Sequence, residues 1–437
     1  MNISTQKHSV FWFRRDLRLE DNTGLYHALK GEWPVIPLFI FDSEILDKLN
    51  DKQDRRVNFI WERLTHMQKK LKKLGSSLLT FHGKPIEIWS KVVKEYGIKV
   101  VYTNHDYEPY AIQRDSNVKK YLESHSIQFK TYKDQVVFEK DDILKNDGNP
   151  YTVYTPYMRK WKEKLNSQSL FLHSTEKFLS NFSQKHNFEI IPLEKMNFEK
   201  INNKWPPAEI DEDLIKKYHK TRNFPAIQGT TRISVHLRFG TVSIRELVRM
   251  AAELNETWLN ELIWREFFMM ISYHFPHVVE RPFRSKYQKI KWINDKEKFN
   301  KWCNGLTGYP IVDAGMRELN KSGFMHNRVR MITANFLTRL LLIDWRWGEQ
   351  YFAEKLLDYE LSSNNGNWQW AAGCGCDAAP YFRIFNPESQ ISKFDPDLKY
   401  INKWIPELNS DEYPKPIVDY KFARERALSV YEHSLKS

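Results

Sequence analysis

Disulfides, zinc clusters, membrane spans and the usual nucleotide loops are all missing from this sequence. Three cysteines in 437 residues (Cys303, Cys374, Cys376) cannot build a disulfide framework, and Cys374 with Cys376 lacks the further ligands of a zinc site. No metal is expected, and so few cysteines fit a reducing, intracellular compartment. No apolar run nears the roughly eighteen residues of a membrane span, and MNISTQKHSV has no apolar signal region before the first strand. A soluble, cytoplasmic protein with no membrane partner is expected. No GxGxxG opens the first helix and no GxxxxGK[ST] occurs, so dinucleotide or triphosphate binding by those loops has no support. Nothing resembles an oligomerisation repeat, and a monomer is the expectation.

What the chain does have is aromatic rings and positive charge. Aromatics reach 14% with 15 Trp, and 67 Lys and Arg face 55 Asp and Glu, a net charge of +12. That balance suits a polyanion such as nucleic acid, although lysine-rich solvated faces give the same sum. The length predicts two domains or three. Strand and helix alternate at the start: strands at 9–13, 35–41, 77–81, 99–103 and 127–132, helices at 24–30, 55–74, 86–96 and 111–124. Val57, Ile60, Leu64, Met67 and Leu71 mark the buried face of the second helix, and Gly75 ends it. Residues 1–133 therefore read as a doubly wound, Rossmann-like α/β domain with a largely parallel sheet. Periodicity fades over 134–204, which reads as an interdomain connector, and 205–437 reads as an all-α domain.

Three stretches of the helical half carry chemistry. GTTRISVHLRFGTVS (229–243) sets Thr230, Thr231, Arg232, Ile233 and Ser234 before a helical pattern, which serves as a phosphate cradle or as an ordinary capping cluster. The helix at 256–275 is apolar almost all round, yet Trp258, Glu261 and Arg265 share a face with Trp264 on its flank. Buried Glu and Arg need partners or a ligand, so a polar-aromatic cavity or a plain ion pair is expected there. In GFMHNRVRM (323–331), Asn327, Arg330 and Met331 line one helix face. The segment 358–396 packs an acid, an Asn pair, a Gly and Trp368 with Trp370 into thirteen residues, then a run of small residues. It is either a tight turn with core tryptophans or the wall of a site for a large flat ligand.

RRDLRLEDN, GNPYTVY, RNFPA with GTTR, ELIWREFF, GYPIVDAGMRELN with GFMHNRVRM, DWRWGEQYF and NNGNWQWAAGCGCDAAPYFRIFNP follow one another here. In that order they resemble the photolyase/cryptochrome flavoproteins, from about residue 8 to 433, most closely the class I branch that repairs cyclobutane pyrimidine dimers. The resemblance implies an N-terminal antenna domain, a helical domain holding U-shaped FAD, UV-damaged DNA as partner, and light-driven electron transfer from FADH⁻ to the dimer. The alternative is a cryptochrome-type blue-light receptor, which shares fold, flavin and tryptophans. Histidines stand in the (6-4) branch where this chain has Asn327 and Met331, which favours cyclobutane repair.

The resemblance also assigns roles. Tyr218 with Thr230 to Ser234 would hold the diphosphate and ribityl region. Trp258, Arg265, Arg330 and Asp358 would line the flavin, with Arg330 and Asp358 paired, Glu360 nearby and Asn364 facing N5, where an amide can donate or accept. Glu261, protonated by burial, and Asn327 would hydrogen-bond the lesion, as well as lying at the cofactor. Trp264, Trp370 and Met331 would wall it. Trp368, Trp345 and Trp292 match the relay that photoreduces the flavin. Arg222, Arg328 and Arg330 would clamp DNA phosphates. Glu360, where Asp is common, and Asn367, within what is often Gly-Gly, depart from the pattern. EPYA (108–111) lacks the Asn-Glu pair that holds methenyltetrahydrofolate. Asp106, Glu108 and Arg56 look instead like the pattern for an 8-hydroxy-deazaflavin antenna, or the antenna site is empty.

Overall fold

The structure is a computed structural model that describes residues 6–184 and 186–436. The chain divides into two compact units. The first holds the N-terminal sheet together with Lys164–Glu209 and Arg232–Met250. The second holds Lys140–Glu163, Ile210–Thr231 and everything from Ala251 on.

In the first unit β1 (Lys7–Phe13) is followed by α1 (Thr23–Leu29), β2 (Val35–Asp42), α2 (Arg55–Lys73) and β3 (Leu79–Gly83). Then come α3 (Pro85–Glu95), β4 (Gly97–Asn104), α4 (Pro109–Ser124) and β5 (Gln128–Tyr132). The strands form one parallel sheet in the order β3-β2-β1-β4-β5, with Val10 opposite both Ile36 and Val101. Each strand is joined to the next by a crossover that includes a helix, which is why β2 is buried along its whole length and reads as the unbroken run VIPLFIFD. The expected α/β fold is present. α2 starts where Asp54 accepts from the Arg56 and Val57 amides, and Gly75, at φ +75°, turns the chain past its end.

The order reverses at β1, and ligands of such sheets sit beyond the strand ends at that crevice. Here the crevice is bridged by ion pairs. Arg15, just past β1, bonds Asp106 at 3.1 Å and Glu108 at 2.8 Å, and Arg238 bonds Glu108 at 2.8 Å. Burial alone would raise the Asp106 pKa, but Arg15, Arg14 and Arg114 hold it well below the carboxylate range. Arg56 pairs with Asp54. The three residues read as an antenna pattern are therefore engaged by partners from within the protein.

The stretch expected as a connector is shared by both units and is partly helical: α5 (Tyr154–Lys164) buries Tyr154, Tyr157 and Trp161. Its aromatic period was hidden by two prolines and a polar surround. The second unit continues with α6 (Glu212–Thr221), α7 (Glu256–His274), α8 (Pro310–Ser322), α9 (Asn327–Asn335), α10 (Trp345–Lys355), α11 (Leu361–Ala372) and α12 (Tyr420–Lys436). α7 is buried over most of its surface, as its all-round apolar pattern requires. Between α9 and α10 the helix widens into a π-helical turn, Phe336–Leu340, whose side chains are all buried. Among the described residues no helix is long and apolar enough to cross a membrane, and no cluster of His, Cys, Asp and Glu could hold a metal.

Candidate functional site

Two helix starts build the site. α9 begins at His326, whose ring accepts from the Arg328 amide at 3.2 Å. α11 begins at Glu360, whose carboxylate accepts from the Ser362 and Ser363 amides at 3.1 and 2.8 Å. These caps satisfy N–H groups that a helix cannot bond internally and fix the rotation of each helix. Between the two helices, with Phe352 of α10 in its lining, lies an open chamber. Asn327, Arg330 and Met331 line it from α9, Asp358 and Glu360 from the intervening loop, and Asn364, Asn367, Trp368 and Trp370 from α11. Eight of the residues read from the sequence as site residues thus meet in one chamber, beside Asn367.

Its polar edge is specific. Arg330 Nη2 donates to both Asp358 oxygens at 3.1 and 2.9 Å, and Arg330 Nε donates to the Met325 carbonyl at 2.7 Å. This guanidinium is committed inside the chamber. Asn364 Nδ2 donates to the Glu349 carbonyl at 3.1 Å and to Glu349 Oε1 at 2.8 Å. Its own carbonyl oxygen is then the atom left for a ligand. Glu349, which sequence reasoning missed, is raised in pKa by burial, with the Asn364 bond opposing. The apolar wall is Trp368 and Trp370. Trp368 is buried beside Phe352 (5.0 Å, 82°) and Trp302 (6.1 Å, 72°), and a Cβ on Gly348 would strike its ring. Asn327 is exposed at the mouth and hydrogen-bonds no other described residue.

A second group of residues gathers around α7. Arg222 at the end of α6 is ion-paired with Glu261 and lies over the Tyr218 ring. Burial raises the Glu261 pKa and Arg222 opposes the shift, leaving it above the ordinary value. Arg328 donates to Asn223 Oδ1 at 2.6 Å. Burial, and the charges of Arg222 and Arg383, lower the Arg328 pKa. Arg383 completes a cluster of three cations and was not singled out from the sequence; its place in a loop after the small residues gave no periodic signal. Trp264 is half-buried, with one face stacked on Tyr154 at 3.6 Å and 6°. Tyr154 was likewise missed, because α5 was read as irregular.

Other expected residues are not among those that line the chamber. Trp258 is a core ring of α7, and Arg265 is half-buried one turn beyond Glu261. Thr230 and Thr231 close one segment of the second unit, and Arg232, at φ +51°, opens a segment of the first, leading through Ile233 into the short helix Ser234–Phe239. Trp292 and Trp345 line a separate cleft.

Residues 9–176 match the family model for DNA photolyase, and residues 258–411 match the FAD binding domain of DNA photolyase. A deoxyribodipyrimidine photo-lyase from Synechococcus is 36% identical, with 97% of this chain and 96% of that protein aligned. The structure of a class III photolyase from Agrobacterium tumefaciens superposes with a TM-score of 0.87 at 31% identity, covering 100% of this chain and 99% of that one. A cryptochrome from Synechocystis superposes with a TM-score of 0.84 at 26% identity, covering 98% and 100%. The chain belongs to the DNA photolyase family and carries that family's FAD-binding domain. FAD is its cofactor, and the chamber suits a flat ring: a charged Arg330–Asp358 pair and an amide oxygen at one edge, indoles at the other, and Ser363 and Ala371 too small to fill the space.

Proposed function

We propose that this chain repairs cyclobutane pyrimidine dimers in DNA with light, acting as a monomer. The observation that carries the reading is the single chamber in which Asn327, Met331 and Trp370 stand with Arg330, Asp358 and Asn364. Lesion-facing groups and flavin-facing groups share one space, so donor and acceptor would meet at near contact. When bound and reduced, FAD supplies the photoexcited electron and takes it back after the cyclobutane ring opens.

The chain's own residues do the remaining work. Arg330 and Asp358 would hold the edge of the flavin ring, and Asn364, held by Glu349, would offer it a carbonyl oxygen. Arg222, Arg328 and Arg383 bind backbone phosphates and keep the strand in place. A dimer is poorly stacked already, so turning it out of the helix costs only a few kcal/mol. Trp264 and Trp370 offset that cost at about 1–3 kcal/mol per stacked base. Once a phosphate draws Arg222 away, burial alone acts on Glu261. The carboxyl then takes a proton and donates to a pyrimidine carbonyl, a bond that strengthens as charge arrives there. Asn327 and Met331, not histidines, face the lesion, which supports cyclobutane over (6-4) chemistry.

The test is to illuminate photoreduced protein with UV-irradiated oligothymidine. Thymine absorbance should return, while an oligonucleotide carrying a (6-4) product should be unchanged. A light-sensing role without repair would leave both spectra as they were.

A further inference from the structure

Beyond the chamber, the second unit has another cleft, and both Trp292 and Trp345 line it. Its rim is basic. The segment RPFRSKYQKIK (281–291) carries Arg281, Arg284, Lys286, Lys289 and Lys291 with no acid among them. Arg281 lines the cleft, is exposed, and its guanidinium has no ion-pair partner among the described residues. Arg346 also lines it and is tied to Asp344 at 3.0 Å, so the one lining carboxylate is already neutralised. Behind the cleft Arg339 is fully buried, no hydrogen bond reaches its three nitrogens, and it lies 4.2 Å from the Tyr431 ring centre. Tyr431 in turn meets Trp292 edge to face at 6.1 Å. Cys374 closes the wall, and burial pushes its thiol up to about 12, so it contributes no thiolate. An unpaired exposed cation, a buried cation and two indoles converge on a space with no free negative charge.

We propose that this cleft docks a small anionic one-electron donor, such as an enediol reductant in its monoanionic form, which returns electrons to Trp292. The proposal rests on reading Trp368, Trp345 and Trp292 as an electron relay. A relay tryptophan that has given up an electron is a radical cation. The donor monoanion passes one electron to it, restoring neutral indole, and loses one proton to water, departing as its radical anion. Charge and electrons balance. The positive rim raises the local concentration of the anion and steers its approach, effects that reach one to three powers of ten in clefts of one sign. Arg339 over Tyr431 makes oxidation of that tyrosine unfavourable, so the electron deficit stays on Trp292 where the donor can reach it. A phenol loses its proton on oxidation, and Tyr431 donates only to the Ala372 carbonyl, which cannot take one.

The experiment compares two donors on the FAD-loaded protein under blue light, following flavin bleaching: ascorbate, which is anionic, and dithiothreitol, which is neutral at pH 7. Arg281→Glu should slow the ascorbate reaction on the order of tenfold at low salt, leave the dithiothreitol reaction unchanged, and remove most of its salt dependence. In the dark, iodide quenching of the Trp292 fluorescence, obtained by difference from Trp292→Phe, should fall in Arg281→Glu while acrylamide quenching holds. Ascorbate rates equal in wild type and Arg281→Glu, or both donors slowed alike, would overturn the donor site. Trp292→Phe that bleaches at the wild-type rate with either donor would remove the relay reading itself, and the donor site with it.

Discussion

Removing Tyr154 should weaken recognition of the dimer through a side chain that need never touch it. The ring lies 3.6 Å from Trp264, nearly parallel, and Phe267 meets both edge-on at 5.8 and 5.6 Å. The Tyr154 hydroxyl donates to the Asn260 carbonyl at 2.8 Å, and its amide donates to Asp377 at 3.0 Å, so the ring is held at both ends. Tyr154 on one face and Phe268, tilted at 5.4 Å, fix the plane of the Trp264 indole. Truncation to Ala forfeits the aromatic pair, about 0.5–1.5 kcal/mol. It also frees an indole that binding must immobilise again, about 0.5–1.5 kcal/mol more. The pair is lost in free and bound protein alike, so only the second cost enters Kd: about 0.5–1.5 kcal/mol, a rise of roughly two- to twelvefold for a dimer-bearing oligonucleotide. Tyr154→Phe keeps the stack and loses one hydrogen bond, so it should stay within about threefold. The assay is fluorescence anisotropy on dimer-bearing and undamaged DNA, normalised to FAD content, since a large-to-small change in a buried site costs about 3 kcal/mol of stability. Equal Kd values for the Ala variant and wild type, or a Phe variant as weak as Ala, would refute the argument.

Three further outcomes follow from the same geometry. Arg330→Met leaves Asp358 buried without its charge-assisted bonds, a loss of about 2 kcal/mol; FAD should be retained some thirtyfold less tightly, read by dialysis, and Asp358→Asn should restore part of the loss. Glu261 has a raised pKa, so its neutral, donating form and any stability that form confers are present at low pH and lost as pH rises through the elevated value. Repair per absorbed photon in wild type should therefore fall with rising pH, and Glu261→Gln should remove that dependence while keeping activity; an unchanged profile would count against it. Arg383→Gln should weaken binding to damaged and undamaged DNA alike and lower the salt slope by about one unit, measured between low and moderate salt.

The sheet and the buried helices were legible because burial writes itself into sequence. β2 is seven apolar residues and an Asp, and α7 is apolar on every side, so no other environment suits them. The chamber was legible for a different reason. Arg330, Asp358 and Asn364 are polar residues that the fold needs nowhere else, and family likeness named their roles. Tyr154, Glu349 and Arg383 escaped because each works through tertiary contacts between distant segments. Tyr154 reaches Trp264 from 110 positions away, and Glu349 is an ordinary surface-helix residue until Asn364 turns toward it. Periodicity reports which way a side chain faces, not what it meets.

Glu360 shows how far that distinction carries. From sequence alone it was only a departure from a common aspartate near the expected flavin. In place, its two carboxylate oxygens accept from the first free amides of α11, the helix that carries Asn364, Trp368 and Trp370. Asp is the commoner cap because its arm is short; a Glu can reach the same amides if the backbone before it is extended, and Glu360 sits at φ −134° and ψ 121°. A negative charge at a helix start is also stabilised by the N–H groups it meets. The extra methylene is therefore absorbed by backbone geometry, and the orientation of the three side chains that line the chamber is what the residue maintains.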